Sequence, residues 1–135
     1  MSFFVWTESM NVGVEEFNNH HKKLIELMNK LFDAMSEGQG KTVIGDILQE
    51  LLKYTEYHFN AEEEKMKYLN YPAYPGHQME HQKFVEEVTR LYRKYQSGDI
   101  FLSVDTLNFL KDWLNKHILQ TDMAYKPFFT NKGIK

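Results

Sequence analysis

Four amphipathic segments, separated by short stretches of helix-breaking residues, constrain this chain more than any other feature. Within each segment apolar residues recur at intervals of three and four, the period of an α-helix with one buried face. One apolar position from each segment, in chain order, is Met28, Leu51, Val88 and Leu114. No segment alternates apolar and polar residues as a half-buried strand would. The pattern predicts an all-α protein.

Helix-breaking and capping residues indicate where these helices are expected to begin and end. Gly38 and Gly40 end the first, Asn70-Tyr71-Pro72 ends the second because the residue before proline disfavours helical angles, and Ser97-Gly98-Asp99 ends the third. Ser103 is a good N-cap for the fourth. The expected helices cover residues of about 18–37, 42–69, 75–96 and 103–121. Because short connections make neighbouring helices antiparallel, we expect an up-down-up-down four-helix bundle. It forms one domain over residues 1–135, with 1–16 as an N-terminal arm.

The amino-acid composition excludes several classes of function. The 135 residues are 42% hydrophobic and 26% charged with a net charge of −3, as in a soluble globular domain that offers no basic surface to nucleic acid. The absence of cysteine excludes iron–sulfur clusters, zinc ribbons and thiol catalysis, so nitrogen and oxygen atoms would have to hold any metal. No apolar run approaches the roughly 18 residues of a membrane span, and no basic leader opens the chain. We expect a cytoplasmic protein without a membrane partner.

Five of the six histidines lie inside the apolar stripes, where a polar ring needs partners. They are His21, His58, His77, His81 and His117. Glu62 follows His58 on the same stripe. A four-residue step turns a helix by about 40° and rises about 6 Å, so His58 with Glu62, and His77 with His81, each present two potential ligands to one point. One such pair alone is weak evidence, since it can arise by chance on a solvated face.

The expected bundle topology strengthens the interpretation of these residues as metal ligands. In an antiparallel bundle the starts of the first and third helices lie beside the ends of the second and fourth. His21 and the pair His77/His81 lie at starts, whereas His58, Glu62 and His117 lie near ends. All therefore fall in one layer of the bundle. A metal demands such convergence because its bonds to ligands are only about 2 Å long, and scattered core histidines have no reason to share a layer.

Asp122 is a further candidate ligand with an unusual spacing. It follows His117 by five residues, a step that turns an ideal α-helix by about 140°. Two explanations are open: the last turn is widened into a π-bulge, which is frequent at functional sites, or Asp122 lies just past the helix end.

These motifs resemble the ligand set of the hemerythrin family in order and in spacing. The matching residues are His21, His58-Phe59-x-x-Glu62, His77-x-x-x-His81 and His117-x-x-x-x-Asp122. The likeness extends over nearly the whole chain and includes Trp6, Val12-Gly13-Val14 and Asp112-Trp113-Leu114.

One departure concerns the first histidine. The family has acidic residues and a glutamine before it, where this chain has Asn18, Asn19 and His20. The family's asparagine follows the ligand by eight residues, as Asn29 follows His21, and the apolar stripe lies on the His21 face. We therefore expect His21 to be the ligand and His20 to be a partly exposed residue, either next to a ligand or at the surface.

The resemblance implies two non-heme iron ions with a bridging oxo or hydroxo group. By analogy, His77, His81 and His117 hold one iron, His21 and His58 hold the other, and Glu62 and Asp122 bridge both. One coordination position would remain open for dioxygen, on the iron with two histidines. Apolar neighbours expected to line the oxygen pocket are Leu24, Ile25, Phe59 and Leu114.

The implied function is reversible dioxygen binding, as a carrier or store and not as an enzyme, because the stripes contain no spare general acid. Sensing of oxygen, nitric oxide or redox state, or detoxification of peroxide or nitric oxide, remains open at the same centre. A ferritin-like oxidase is excluded because no Glu-x-x-His motif occurs, and a His-Glu-x-x-His zinc hydrolase because Gln78 follows His77. The partner, a redox or oxygen-consuming protein, is unidentified. The tail from Tyr125 is expected to pack on its own bundle.

Overall fold

The computed structural model describes residues 3–39, 41–98 and 104–135. Its main helices are α1 (Glu15–Ser36), α2 (Lys41–Tyr68), α3 (Tyr74–Ser97) and α4 (Val104–Lys116). A π-helical turn (His117–Asp122), a 3₁₀ turn (Met123–Tyr125) and the short α5 (Lys126–Asn131) continue from α4. The described residues contain no strand, which confirms the all-α prediction. None of the helices in these ranges is both long and apolar enough to cross a bilayer.

Pairs of contacts give the direction of α1 and α2. The His21 and His58 ring centroids lie 4.6 Å apart. Further along α1, Lys30 Nζ lies 3.7 Å from Glu50 Oε2. Residue numbers thus rise along α1 while they fall along α2, so the two helices are antiparallel.

The same argument applies to α2 and α3. Glu63 Oε2 lies 2.9 Å from His81 Nδ1, whereas Gly45, near the start of α2, faces the end of α3. A Cβ atom on Gly45 would lie 2.6 Å from Gln96 Nε2. Glycine therefore allows the two helices to approach closely at this end.

Helices α3 and α4 are antiparallel as well. His81 Nε2 lies 3.1 Å from His117 Nε2, and the Phe84 and Trp113 rings stack at 3.8 Å. Together the three pairs of neighbours confirm the up-down-up-down bundle. They also bring the starts of α1 and α3 to the ends of α2 and α4.

The helix ends follow local backbone chemistry. Asn70 adopts a left-handed φ of 59° after α2, and Gly98 a φ of 82° after α3, which are conformations that terminate helices. Helix α1 begins at Glu15, three residues before the expected start at 18. The predicted N-cap Ser103 lies outside the described residues. The α-helical part of α4 ends at Lys116, where the π-helical turn begins, and not at 121.

The core is divided into two clusters. The larger lies between the four helices and includes Leu31, Leu48 and Leu107, each with no exposed surface. The smaller cluster covers the end of the bundle that carries the histidines. Its members are Val12, Val14, Phe17, Met66, Tyr125 and Phe129. The tail therefore folds back on its own bundle, where Tyr125 and Phe129 bury their rings against the arm.

Asparagine side chains attach the N-terminal arm to α1. Asn29 Oδ1 accepts from the Phe4 backbone N–H at 2.8 Å, and Asn29 Nδ2 donates to the Phe4 carbonyl at 2.8 Å. Nearer the start of α1, Asn18 Oδ1 accepts from the Val12 N–H at 3.0 Å. Gly13 has a φ of 80°, which lets the chain turn into α1. These bonds hold the arm along α1, and the Asn18 bond holds its last part at the histidine end of the bundle.

Candidate metal centre

The seven residues predicted as ligands lie together at this end of the bundle. The ligand atoms of one group lie within 4.8 Å of one another, and its members are Glu62, His77, His81, His117 and Asp122. A second group, within the same limit, consists of His21, His58, Glu62 and Asp122. The two carboxylates belong to both groups. All seven side chains are buried. The arrangement offers two adjacent positions for cations.

A π-helical turn explains how Asp122 joins His117. Its hydrogen bonds run between residues five apart, so it returns Asp122 to the side of the helix that carries His117. His117 Nε2 lies 3.0 Å from Asp122 Oδ1. Of the two explanations that the five-residue spacing left open, the structure therefore shows the π-helical widening of the last turn.

Asp122 turns one oxygen toward each group of histidines. Its Oδ1 lies 2.9 Å from His77 Nε2 and 3.0 Å from His117 Nε2. Its Oδ2 lies 3.1 Å from His21 Nε2.

Glu62 divides its oxygens in the same way. Its Oε1 lies 3.3 Å from His81 Nε2 and 3.6 Å from His77 Nε2, whereas its Oε2 lies 3.4 Å from His58 Nε2 and 3.8 Å from His21 Nε2. Both carboxylates thus have the orientation required to bridge two cations.

Many of the converging ligand atoms have no hydrogen-bond partner. Among the described residues, six converging atoms are buried without a hydrogen bond: His21 Nε2, His58 Nε2, His77 Nε2, Glu62 Oε1, Asp122 Oδ1 and Asp122 Oδ2. A buried polar atom left in this state costs about 1–3 kcal/mol. Cations would satisfy all six at once. Imidazole nitrogens with carboxylate oxygens, and no sulfur, form a donor set suited to iron among other metals. The residues present therefore fit the implied iron ions.

The pKa values of these histidines and carboxylates also show that the cluster favours positive charge. Burial opposes protonation of His77, but the carboxylates of Asp122 and Glu62 outweigh it and raise the pKa of His77 to about 9. The same competition, with Asp122 the stronger partner, raises the pKa of His117 to about 10. Burial and the nearby Glu62 favour a raised pKa for Asp122, but His117 and His21 hold that pKa well below its usual range.

The sequence analysis missed two carboxylates beside the group that contains His77, His81 and His117, here called the three-histidine side. Each contacts a ring nitrogen that faces away from the centre. Glu63 Oε2 lies 2.9 Å from His81 Nδ1, and Glu80 Oε1 lies 3.3 Å from His117 Nδ1. Thr121 also donates to Glu80. A signal was present, because Glu63 follows Glu62 and Glu80 precedes His81 in the sequence. One residue turns a helix by about 100°, which directs each carboxylate toward the neighbouring helix.

Tyr125 is another functional residue that the sequence did not reveal. Its hydroxyl donates to Glu62 Oε2 at 2.6 Å, and its side chain is fully buried. Burial and the two nearby carboxylates raise the pKa of Tyr125 well above 10, so the hydroxyl keeps its proton. The residue escaped notice because it lies in the tail, outside the four apolar stripes.

The expectation that His20 is partly exposed was wrong. The structure places His21 in the cluster and His20 outside it, but His20 is only 6% exposed. Its Nδ1 lies 2.8 Å from His58 Nδ1, and the Tyr54 and Tyr57 rings cover it at centroid distances of 5.9 and 5.3 Å. Burial lowers the pKa of His20. Sequence periodicity could not show that tyrosines from α2 close over this position.

The residues expected to line an oxygen pocket are all buried in the larger core cluster: Leu24, Ile25, Phe59 and Leu114. Phe59 is in direct contact with the centre, since its ring stacks on His81 at 3.7 Å. The lining role of all four stays a prediction.

Comparisons with known proteins agree with this geometry. The profile of the hemerythrin HHE cation binding domain matches residues 12–129. A bacteriohemerythrin of Methylococcus capsulatus is 33% identical over 130 residues, which cover 94% of this chain and 97% of the relative. A hemerythrin-like protein of Naegleria gruberi is 35% identical over 123 residues, 91% of each chain.

Solved structures agree as well. The crystal structure of a wild-type hemerythrin superimposes with a TM-score of 0.89 at 31% identity, covering 93% of this chain and 97% of that one. The profile match over residues 12–129, the relatives at 30% identity or more and the shared bundle fold lead to one conclusion: this chain belongs to the hemerythrin family.

Proposed function

We propose that this protein binds dioxygen reversibly, as a carrier or store, at two non-heme iron ions bridged by Glu62 and Asp122. The observation that carries the proposal is the pair of overlapping ligand groups that share both carboxylates. A single cation would leave part of this buried donor set without a partner.

The proposed ligands divide unequally between the two positions. His77, His81 and His117 would hold one iron, and His21 and His58 the other. When bound, the iron pair would supply the electrons that reversible dioxygen binding requires. The remaining chemistry comes from the side chains around it.

Those side chains favour binding and release over bond cleavage. Leu114 and Phe59 are 2% exposed, and as the predicted lining of the pocket they would exclude water and external protons. The Tyr125 hydroxyl is already committed to Glu62, and its raised pKa makes it a poor acid. Cleavage of the oxygen–oxygen bond needs proton delivery, for which the described residues of the centre offer no uncommitted group. The expected cytoplasmic location and the redox or oxygen-consuming partner stay predictions.

The test is anaerobic loading with ferrous iron, followed by repeated cycles of air and argon monitored by visible absorption. We expect a spectrum that appears in air and disappears under argon over many cycles. Peroxide and nitric oxide turnover are measured on the same samples. A change that occurs once and does not reverse, or multiple turnovers of either compound, contradicts the carrier function and favours sensing or detoxification at the same centre.

A further inference from the structure

Two imidazole rings meet nitrogen to nitrogen behind the two-histidine side of the centre. His20 Nδ1 lies 2.8 Å from His58 Nδ1, and both rings are buried, with His58 at 0% exposure. At this distance the two nitrogens share one hydrogen, because a hydrogen bond needs one donor and one acceptor.

The direction of the bond follows from the opposite face of His58. Its Nε2 points into the ligand group, 3.4 Å from Glu62 Oε2, and has no hydrogen-bond partner among the described residues. A neutral imidazole that offers Nε2 to a metal carries its hydrogen on Nδ1. With a metal at Nε2, as the proposed centre requires, the His58 Nδ1–H would donate and His20 Nδ1 would accept.

The acceptor is itself held in place by aromatic rings. Tyr54 meets the His20 ring edge-on with an interplanar angle of 89°, and Tyr57 meets it at 61°. Phe17 contacts His20 at a centroid distance of 6.0 Å and His58 at 5.9 Å. The ring of His20 has little room to turn, so its Nδ1 is a fixed reference for the orientation of His58.

The partner of His58 differs in kind from the partners of His81 and His117. Those two rings have the carboxylates Glu63 and Glu80 at Nδ1. A carboxylate both orients an imidazole and makes it more basic, whereas a neutral imidazole orients the ring without bringing a negative charge. His20 thus supplies orientation alone.

We propose that His20 is a positioning residue, which holds His58 in the Nδ1–H tautomer so that its Nε2 faces the second iron position. The inference rests on the proposed di-iron centre. It assigns to His20 no contact with metal or with dioxygen.

The direct test uses the full wild-type chain, metal-free and labelled with ¹⁵N-histidine. Long-range ¹H–¹⁵N spectra report which ring nitrogen carries hydrogen. We expect His58 protonated at Nδ1 and His20 unprotonated at Nδ1. An Nε2–H tautomer of His58 overturns the proposal, and this readout needs neither a variant nor bound iron.

Variants then measure the effect on metal retention. His20→Phe keeps an aromatic ring but removes the acceptor, and His20→Asn places an amide oxygen near the former Nδ1. With ferrous iron loaded anaerobically, we expect His20→Phe to lose iron to a chelator about tenfold faster than wild type. We expect His20→Asn to lose it near the wild-type rate, as should the control Asn19→Ala, which alters an exposed neighbour.

The outcomes separate this inference from the function. If wild type holds two irons and His20→Phe retains them equally well, the positioning role is wrong and the centre stands. If wild type fails to hold two irons while His58 shows the expected tautomer, the proposed function is wrong. Should His20→Phe not fold, the tautomer measurement and the His20→Asn rate still decide, because a tenfold loss in His20→Asn also contradicts the proposal.

Discussion

The two sides of the candidate centre share Glu62 and Asp122 but differ in what lies behind their histidines. On the three-histidine side, Glu63 and Glu80 contact outer ring nitrogens and are 16% and 47% exposed. On the two-histidine side, His58 meets the buried His20, and His21 Nδ1 has no hydrogen-bond partner in the described part of the chain. The histidines of the three-histidine side thus contact carboxylates that are partly exposed to solvent. The outer contact of the two-histidine side is with a buried, neutral ring.

This difference assigns separate tasks to the two sides. Carboxylates that contact metal-binding imidazoles increase their basicity and strengthen metal binding. The other position has two histidines instead of three, so fewer side chains would hold its metal, and enclosure would shield that metal from water. We expect the three-histidine side to hold its iron more tightly and the two-histidine side to be the place where dioxygen binds.

The largest effect is expected where the two sides join. Asp122→Ala should reduce iron from two per chain to below one, because Asp122 contacts histidines of both groups and its charge offsets that of the metals. Metal analysis after anaerobic loading measures this. Asp112→Ala removes an exposed carboxylate from α4 and is the matched control, with no loss expected. Two irons retained in Asp122→Ala would show that it does not bridge.

A smaller effect should follow from removal of a charge behind the three-histidine side. Glu63→Gln should weaken iron binding about tenfold, as outer partners of metal-bound imidazoles generally do when replaced. Glu80→Gln should cost less, because Glu80 is more exposed and its contact with His117 is longer, 3.3 Å against 2.9 Å for Glu63. Chelator competition gives both values, with the exposed neighbour Glu64→Gln as control. Equal binding in all three variants would remove the basis for the contrast between the sides.

Leu114→Ala tests the enclosure and should leave the metal in place. Leu114 precedes His117 by one turn and is buried, so its truncation opens space into which water can move. We expect wild-type iron content but a several-fold faster decay of the oxygenated spectrum. Leu110→Ala creates a comparable cavity one turn further from His117 and should decay as wild type does. If Leu114→Ala also decays at the wild-type rate, the guarding residue is Ile25 or Phe59.

The smallest signal is a release of protons when metal binds. His77 and His117 have pKa values of about 9 and 10, so in the metal-free protein at pH 7 both carry a proton that the metal must displace. We expect about two protons released per chain at pH 7 from these rings, and fewer as the pH rises through 9 to 10. A pH indicator in weak buffer records the release. Loading without release at pH 7 would mean that neither ring is protonated beforehand.

The sequence predicted those features of the molecule that depend on local pattern. Helix periodicity, and helix-ending residues such as Asn70 and Gly98, can be recognised directly in the sequence. The antiparallel order of the helices then brings the histidines to one end of the bundle. The spacing of His117 and Asp122 left two possibilities, because a widened turn depends on the contacts that both side chains make in the folded protein.

Contacts between helices were not predictable in this way. Glu63, Glu80 and the tyrosines that cover His20 act across helix pairs, so their roles depend on how far each helix is rotated about its axis. Tyr125 reaches Glu62 only because the tail folds back over the bundle end. None of these contacts produces a periodic pattern in the sequence, and for this reason His20 was expected to be partly exposed.

Metal analysis combined with Mössbauer spectroscopy tests the central claim most directly. The chain is loaded with ⁵⁷Fe²⁺ under argon in the presence of equimolar Zn²⁺, and excess metal is removed. The two overlapping ligand groups predict two irons per chain in two distinct environments of equal population. A single iron per chain, or zinc retained in preference to iron, would contradict the di-iron centre on which the proposed function rests.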